Sequence, residues 1–326
     1  MKIFLLAGLL APAVALANGA MNGVAVGGIV LNNSDRIALK KQVINISRAV
    51  VSADYELLNE SPADLEETVT FPLPEYKVRE ENGAYAGEPD GLMITADGKP
   101  VAFKTLLVAK HKDAGVTNQL RKIGLTEAQI VYNPAFGPEL AFNPLTPSQE
   151  QQLTKLNLWT KNAAGVAGPA WSVQISYVWK QKFPAKKIVR LHHVYRPFVT
   201  SGPASWELQP DFTAKYCTDK AFMASWKKAR SKAGKDTVDG NHVHYLLKNG
   251  TPWTNGIEDF TLNVSKLDAT ELVSMCLPGD VHRAQAKRVQ FRQANFRPKQ
   301  DLDIYFGNVA AAKVKNSAGI MPTLNR

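Results

Sequence analysis

Apolar and polar residues alternate over several stretches of the chain, with the period of two that a half-buried β-strand requires. Val51, Ala53, Tyr55 and Leu57 alternate with Ser52, Asp54 and Glu56, and Asn59-Glu60-Ser61-Pro62 supplies a turn after them. Leu65, Val69, Phe71 and Leu73 then alternate with Glu66, Thr68 and Thr70 until Pro72 and Pro74 end the run. Proline lacks the ladder donor, so this strand is expected at a sheet edge. Leu92-Met93-Ile94-Thr95 and Val101-Ala102-Phe103 flank Asp97-Gly98, which predicts a hairpin. The clearest stripe is Trp171, Val173, Ile175, Tyr177 and Trp179 against Ser172, Gln174, Ser176 and Lys180. Val189, Leu191, His193 and Tyr195 repeat the pattern before Pro197, and further strands are expected at 243–247, 260–264, 289–291 and 302–306.

Between 113 and 169 the period lengthens. Val116, Leu120 and Ile123 recur at helical spacing. Thr146-Pro147-Ser148-Gln149 places a capping residue, a proline at the first helical position and a Gln at N3 ahead of Leu153 and Leu156. Phe222 and Trp226, four apart after Thr218-Asp219, predict an amphipathic helix. The expected class is mainly β with a helical insertion: β-sandwich-like sheets, α+β overall. The expected organisation is a signal peptide at 1–17, a β-rich part at 18–112, the helical insertion at 113–169, a second β-rich part with one helix and a disulfide at 170–307, and a mobile tail at 308–326.

The amino end changes the expected location. Met1-Lys2 precedes an apolar run over residues 3–16, and Ala15-Leu16-Ala17 followed by Asn18 has the small-x-small form of a secretory cleavage site. The run is shorter than the roughly 20 residues that span a bilayer, so the mature chain is expected to start near Asn18, in the periplasm, without a transmembrane segment. Charge is uneven along the 326 residues: the first 169 carry 15 Lys+Arg against 17 Asp+Glu, the remainder 24 against 12. A basic second half suits an anionic envelope partner or a solubilising surface. Its lysines and arginines at 227–235 are not interleaved with aromatic platforms, so no specific nucleic-acid partner is expected.

Candidate chemistry is sparse. His192 and His193 are strand neighbours and point to opposite faces. His242-x-His244 projects from one face and could supply two ligands of a zinc site, yet no acidic or thiol ligand sits nearby in sequence. His193, on the apolar side of its strand, reads as a hydrogen-bonded core residue. His193, His242 and His244 remain the candidate site. Asp64, Glu66 and Glu67 read as a solvated charge run, Asp301 and Asp303 as the polar side of a strand, and the tryptophan stripe as core. Nucleophile-elbow, phosphate-loop, zincin and dinucleotide motifs are absent from the sequence. No catalytic residue, cofactor or metal ligand is therefore assigned. Cys217 and Cys276, the only cysteines, are expected to pair in an oxidising compartment.

Several ordered stretches resemble the secreted bacterial family called domain of unknown function 4424. They are Asn33-Ser34-Asp35 with Leu39-Lys40-Lys41, Tyr55-Glu56-Leu57-Leu58-Asn59 leading to Phe71-Pro72-Leu73-Pro74, and Phe183-Pro184-Ala185 with Tyr195-Arg196-Pro197. Tyr216-Cys217-Thr218-Asp219, Cys276, Phe296-Arg297-Pro298 and Asp301-Leu302-Asp303 complete the order. The resemblance implies export and a shared β-rich fold; it supplies no reaction, cofactor or catalytic residue. The strand, Asn turn and strand ending in Phe-Pro-Leu-Pro are also similar, at fold level, to the start of the vault/inter-α-trypsin β-sandwich module.

The function expected is that of a non-enzymatic periplasmic binding or envelope-associated protein. Two rivals stand beside it: a hydrolase of a cell-envelope polymer using His193 or His242 and His244, and a structural subunit of an envelope assembly.

Overall fold

The computed structural model describes residues 24–26, 28–31, 34–78, 92–131, 145–162, 165–197, 199–204, 211–234, 237–249, 256–277 and 282–309. The expected signal peptide and cleavage site lie outside them, as does 310–326 of the expected tail. Asn308 and Val309, at the start of that tail, hydrogen-bond to the carbonyls of Thr270 and Asp239.

From the amino end, β1 (Val24–Val26) and β2 (Ile29–Leu31) form a hairpin leading to β3 (Ile37–Ile46), β4 (Val51–Asn59), β5 (Leu65–Pro72) and the short β6 (Tyr76–Lys77). β7 (Met93–Ala96) and β8 (Lys99–Pro100) turn about Asp97-Gly98, and β9 (Lys104–His111) and β10 (Ala114–Gly115) follow. The second arm of the β7–β8 hairpin is thus 99–100 rather than the 101–103 expected. Next come α1 (Thr117–Lys122), α2 (Glu127–Val131), α3 (Pro147–Lys155) and the hairpin of β11 (Trp159–Lys161) with β12 (Ala167–Pro169). α3 carries the full capping box read in its sequence, with Thr146 and Gln149 exchanging side-chain and backbone bonds. Then follow β13 (Ser172–Phe183), β14 (Ile188–Tyr195), β15 (Val199–Ala204), α4 (Asp211–Tyr216) and α5 (Lys220–Ala233). The chain ends in β16 (Val238–Tyr245), β17 (Lys248–Asn249), β18 (Ile257–Ser265), β19 (Leu272–Met275), β20 (His282–Gln285), β21 (Arg288–Phe296) and β22 (Leu302–Gly307).

Two eight-stranded sheets pack face to face. One runs β10-β9-β13-β5-β2-β1-β17, with β6 also paired to β13; the other runs β20-β21-β18-β3-β4-β14-β7-β8. Among the described residues, pairing is antiparallel except between β3 and β18. Inward stripes predicted from alternation meet between the sheets: Val173, Ile175 and Phe71 from the first, Ala53, Tyr55 and Leu191 from the second, all buried. Phe71 touches His193 and Tyr195 across the gap, with ring centroids 4.2 and 5.4 Å apart. Asn59 joins the two sheets at one end. Its amide donates to the carbonyls of Ala63 and Phe183, each at 2.8 Å, and its oxygen accepts the N–H of Ser61. The fold is mainly β, sandwich-like and α+β, and among the described residues no helix is long and apolar enough to cross a membrane.

Two expectations for β5 fail. The strand lies inside its sheet, between β13 and β2, rather than at an edge. Pro72 is tolerated because Leu73 donates to Ile175 of β13, which turns the donorless nitrogen of Pro72 the other way, where β2 has stopped pairing at Val30–Thr70. Thr70 is buried on the outward side of β5, and Glu67 falls on the inward side with Leu65, Val69 and Phe71, so it is buried and not part of a solvated run.

A four-stranded sheet, β15-β16-β22-β19, adds a further layer. One face, with Val243, Tyr245, Ile304 and Phe306, joins the main core, while Tyr305 and Val238 on the other pack under α4 and α5 through Tyr216, Phe222 and Trp226. α5 starts where Asp219 accepts the N–H of Phe222 and ends at Gly234, whose φ of 62° suits a left-handed cap. Cys217 and Cys276 are bonded, tying the end of α4 to the end of β19.

Candidate functional site

The three histidines singled out in the sequence do not share a site. His193 is 2% exposed, enclosed by Tyr55, Phe71 and Tyr195, and its Nε2 has no hydrogen-bond partner among the described residues. The core placement expected for it holds, whereas a hydrogen bond at Nε2 does not form. Burial, with a smaller push from His192, lowers its pKa to about 3, so it stays neutral. Nearby, the hydroxyls of Tyr55 and Tyr245 lie 3.5 Å apart, and burial raises both.

His242 and His244 share a face of β16, as alternation requires. The Tyr216 hydroxyl and His242 Nδ1 are 2.6 Å apart, and burial, followed by the charge of Lys215, takes His242 down to about 4. His244 Nδ1 lies 3.1 Å from Asp303, its direct cross-strand partner on β22, and Lys215 reaches the same carboxylate at 3.7 Å. Burial alone would raise Asp303, but His244 and Lys215 hold it below the usual carboxylate range. Each Nδ1 is thus engaged by a single neighbour, and among the described residues no group of three or more His, Cys, Asp or Glu could hold a metal ion. The acidic neighbour of His244 escaped the sequence reading because it sits 59 positions away.

The outer face of the β3–β4–β14 sheet carries an arrangement that sequence reasoning missed. Register places Lys41, Glu56 and Arg190 in one row across three strands, and Val43, Asp54, His192 and Thr95 in the next across four. These rows line a groove of about 440 Å³. His192 Nδ1–H donates to Asp54 at 2.7 Å and Arg190 Nε–H donates to Glu56 at 3.3 Å. The second contact uses one guanidinium nitrogen of an Arg190 side chain that is 66% exposed, and Lys41 makes no ion pair among the described residues. Glu56 therefore has a cationic neighbour and Asp54 a hydrogen-bond donor, while the Lys41 ammonium, the outer Arg190 nitrogens and His192 Nε2 stay open to the groove. The signal was present in the polar positions of the alternating strands, where charges of both signs recur. Which charges become neighbours depends on register, which no single strand reveals.

The chain is thus an α+β, β-sandwich-like protein with a polar groove on the outside of one sheet. It belongs to the family described as Domain of unknown function (DUF4424), whose model matches residues 17–305. No curated protein matches it. Among solved structures it is similar to a candidate nutrient-binding protein of Legionella pneumophila, at 14% identity and a TM-score of 0.41, over 87% of this chain and 72% of that one. It is also similar to a mutant M1 zinc metallopeptidase of Deinococcus radiodurans, at 9% identity and a TM-score of 0.27, over 83% of this chain and 42% of the peptidase. At these scores neither neighbour informs function.

Proposed function

We propose that the protein is a non-enzymatic binding protein of the bacterial envelope, and that the groove over β3, β4, β14 and β7 takes a small ligand bearing an oxyanion. The observation that carries this reading is the convergence of Lys41, Arg190 and His192 on one groove, where Arg190 already faces Glu56 and His192 already donates to Asp54. Arg and Lys donors in such a setting favour a carboxylate or phosphate, and the volume suits a small molecule. The apolar leader and the Cys217–Cys276 bond support an extracytoplasmic setting. Calorimetric titration with inorganic phosphate and with succinate tests the proposal. Saturable binding of at least one, abolished by Arg190→Gln with Lys41→Gln, is the expected result; no heat from either anion would overturn it.

One observation favours assembly as a second reading. β9 exposes Leu106 and Val108 along a segment that pairs with β13 on one side and with β10 only at its end. Analytical ultracentrifugation of the exported protein should then show a species larger than a monomer, which Leu106→Lys would dissociate.

A further inference from the structure

We infer that the solvent-facing side of α5 is a docking surface for an anionic lipid bilayer. The helix reads Lys-Ala-Phe-Met-Ala-Ser-Trp-Lys-Lys-Ala-Arg-Ser-Lys-Ala and contains no acidic residue. At about 100° per residue, Lys220, Lys227, Lys228 and Lys232 fall on the side away from Phe222 and Trp226. All four are exposed, and none makes an ion pair among the described residues. The nearest acid in sequence, Asp219, is occupied as the helix cap, and Lys215 on α4 is already drawn to Asp303.

The same geometry decides what kind of anion fits. Fourteen residues make a rod about 21 Å long, and the lysines along it present point charges over a broad convex face, suited to a plane of phosphate head groups. A nucleic-acid strand or a sugar chain would want aromatic platforms beside the charges. Here both aromatic residues of the helix turn inward, Trp226 completely buried and Phe222 9% exposed, and Arg230 lies over the Trp226 ring at 5.2 Å instead of forking outward. The apolar side is committed to the sheet beneath, and the Cys217–Cys276 bond fixes the chain just ahead of the helix. α5 therefore cannot roll over and insert. Attachment is electrostatic, reversible and independent of the groove on the other sheet.

Cosedimentation with phosphatidylglycerol-containing vesicles, using the exported full chain, tests this. Binding is expected in dilute buffer, absent from pure phosphatidylcholine vesicles, and lost as salt screens the charges. Each lysine is worth about fivefold in partitioning, so Lys227→Glu with Lys228→Glu should reduce binding by at least about 25-fold while the melting temperature and any anion binding in the groove stay unchanged. Equal binding by the variant, equal binding to neutral vesicles, or no binding by the unaltered protein would each overturn the inference. Capture by a soluble polyanion without capture by vesicles would overturn the choice of a bilayer.

Discussion

Gly240 lies directly opposite Gly307 across β16 and β22, and the ring of Tyr305 rests over the pair. A Cβ on Gly240 would come 2.5 Å from one edge carbon of that ring, and a Cβ on Gly307 would come 2.6 Å from the other. The ring cannot swing aside, because Tyr305 is fully buried and hemmed in by His242, Tyr216 and Phe222. Gly240→Ala and Gly307→Ala are each expected to lower stability by about 1–3 kcal/mol, read from urea unfolding. Because both displace the same ring, the double variant should lose less than the sum.

Acid should loosen the protein through its buried histidines. His193, at about 3, lies below the ordinary imidazole value of 6.5, and His242 lies below it at about 4. Between those values and 6.5 the unfolded chain binds more protons than the folded one, so stability rises with pH. It is present in full above about pH 6.5 and is lost progressively as pH falls toward 3. For His193 the loss is on the order of 4 kcal/mol. His193→Phe, which keeps an aromatic ring against Phe71 and removes the unpaired nitrogen, should flatten the acid limb without lowering stability at neutral pH. Thermal melts across this range provide the comparison.

The Cys217–Cys276 bond closes a loop with a sequence separation of 59. Chain entropy alone assigns it about 4 kcal/mol. Unreduced exported protein should take no alkylating label, and two labels after reduction, by mass spectrometry. Cys217→Ser with Cys276→Ser should unfold at distinctly lower denaturant.

Metal is not expected to support the fold. Tyr216 and Asp303 hold the Nδ1 atoms of His242 and His244, and a histidine pair leaves a tetrahedral site half empty. Melts with and without a chelator should superimpose, and a fall of many degrees would contradict this.

Exported protein should begin at or near Asn18. Amino-terminal sequencing of the periplasmic fraction reads this directly, and an intact Met1 in a membrane fraction would refute it.

Elements governed by local chemistry were legible in the sequence. The alternation of β4 and β13 became buried stripes, and Thr146, Pro147 and Gln149 announced α3, as Asp219, Phe222 and Trp226 did α5. Features set by pairing were not. Pro72 argued for an edge, but its missing donor faces a gap in an interior position. The groove depends on Lys41, Glu56 and Arg190 meeting across three strands, and His244 meets Asp303 only through the pairing of β16 with β22. Charge alternation named the groups without naming their neighbours.

The one parallel pairing among the described residues, β3 with β18, joins residues such as Asn45 and Asn263 that stand 218 positions apart. A chain made from its amino end therefore holds β3 satisfied by β4 on one flank and bare on the other until residue 265 has emerged. Such a waiting edge is a template for a neighbouring chain, and the late, long-range closure makes folding slow. A product terminated before 257 would lack the partner of that flank, so a truncated chain carries an open strand edge that the complete sheet closes.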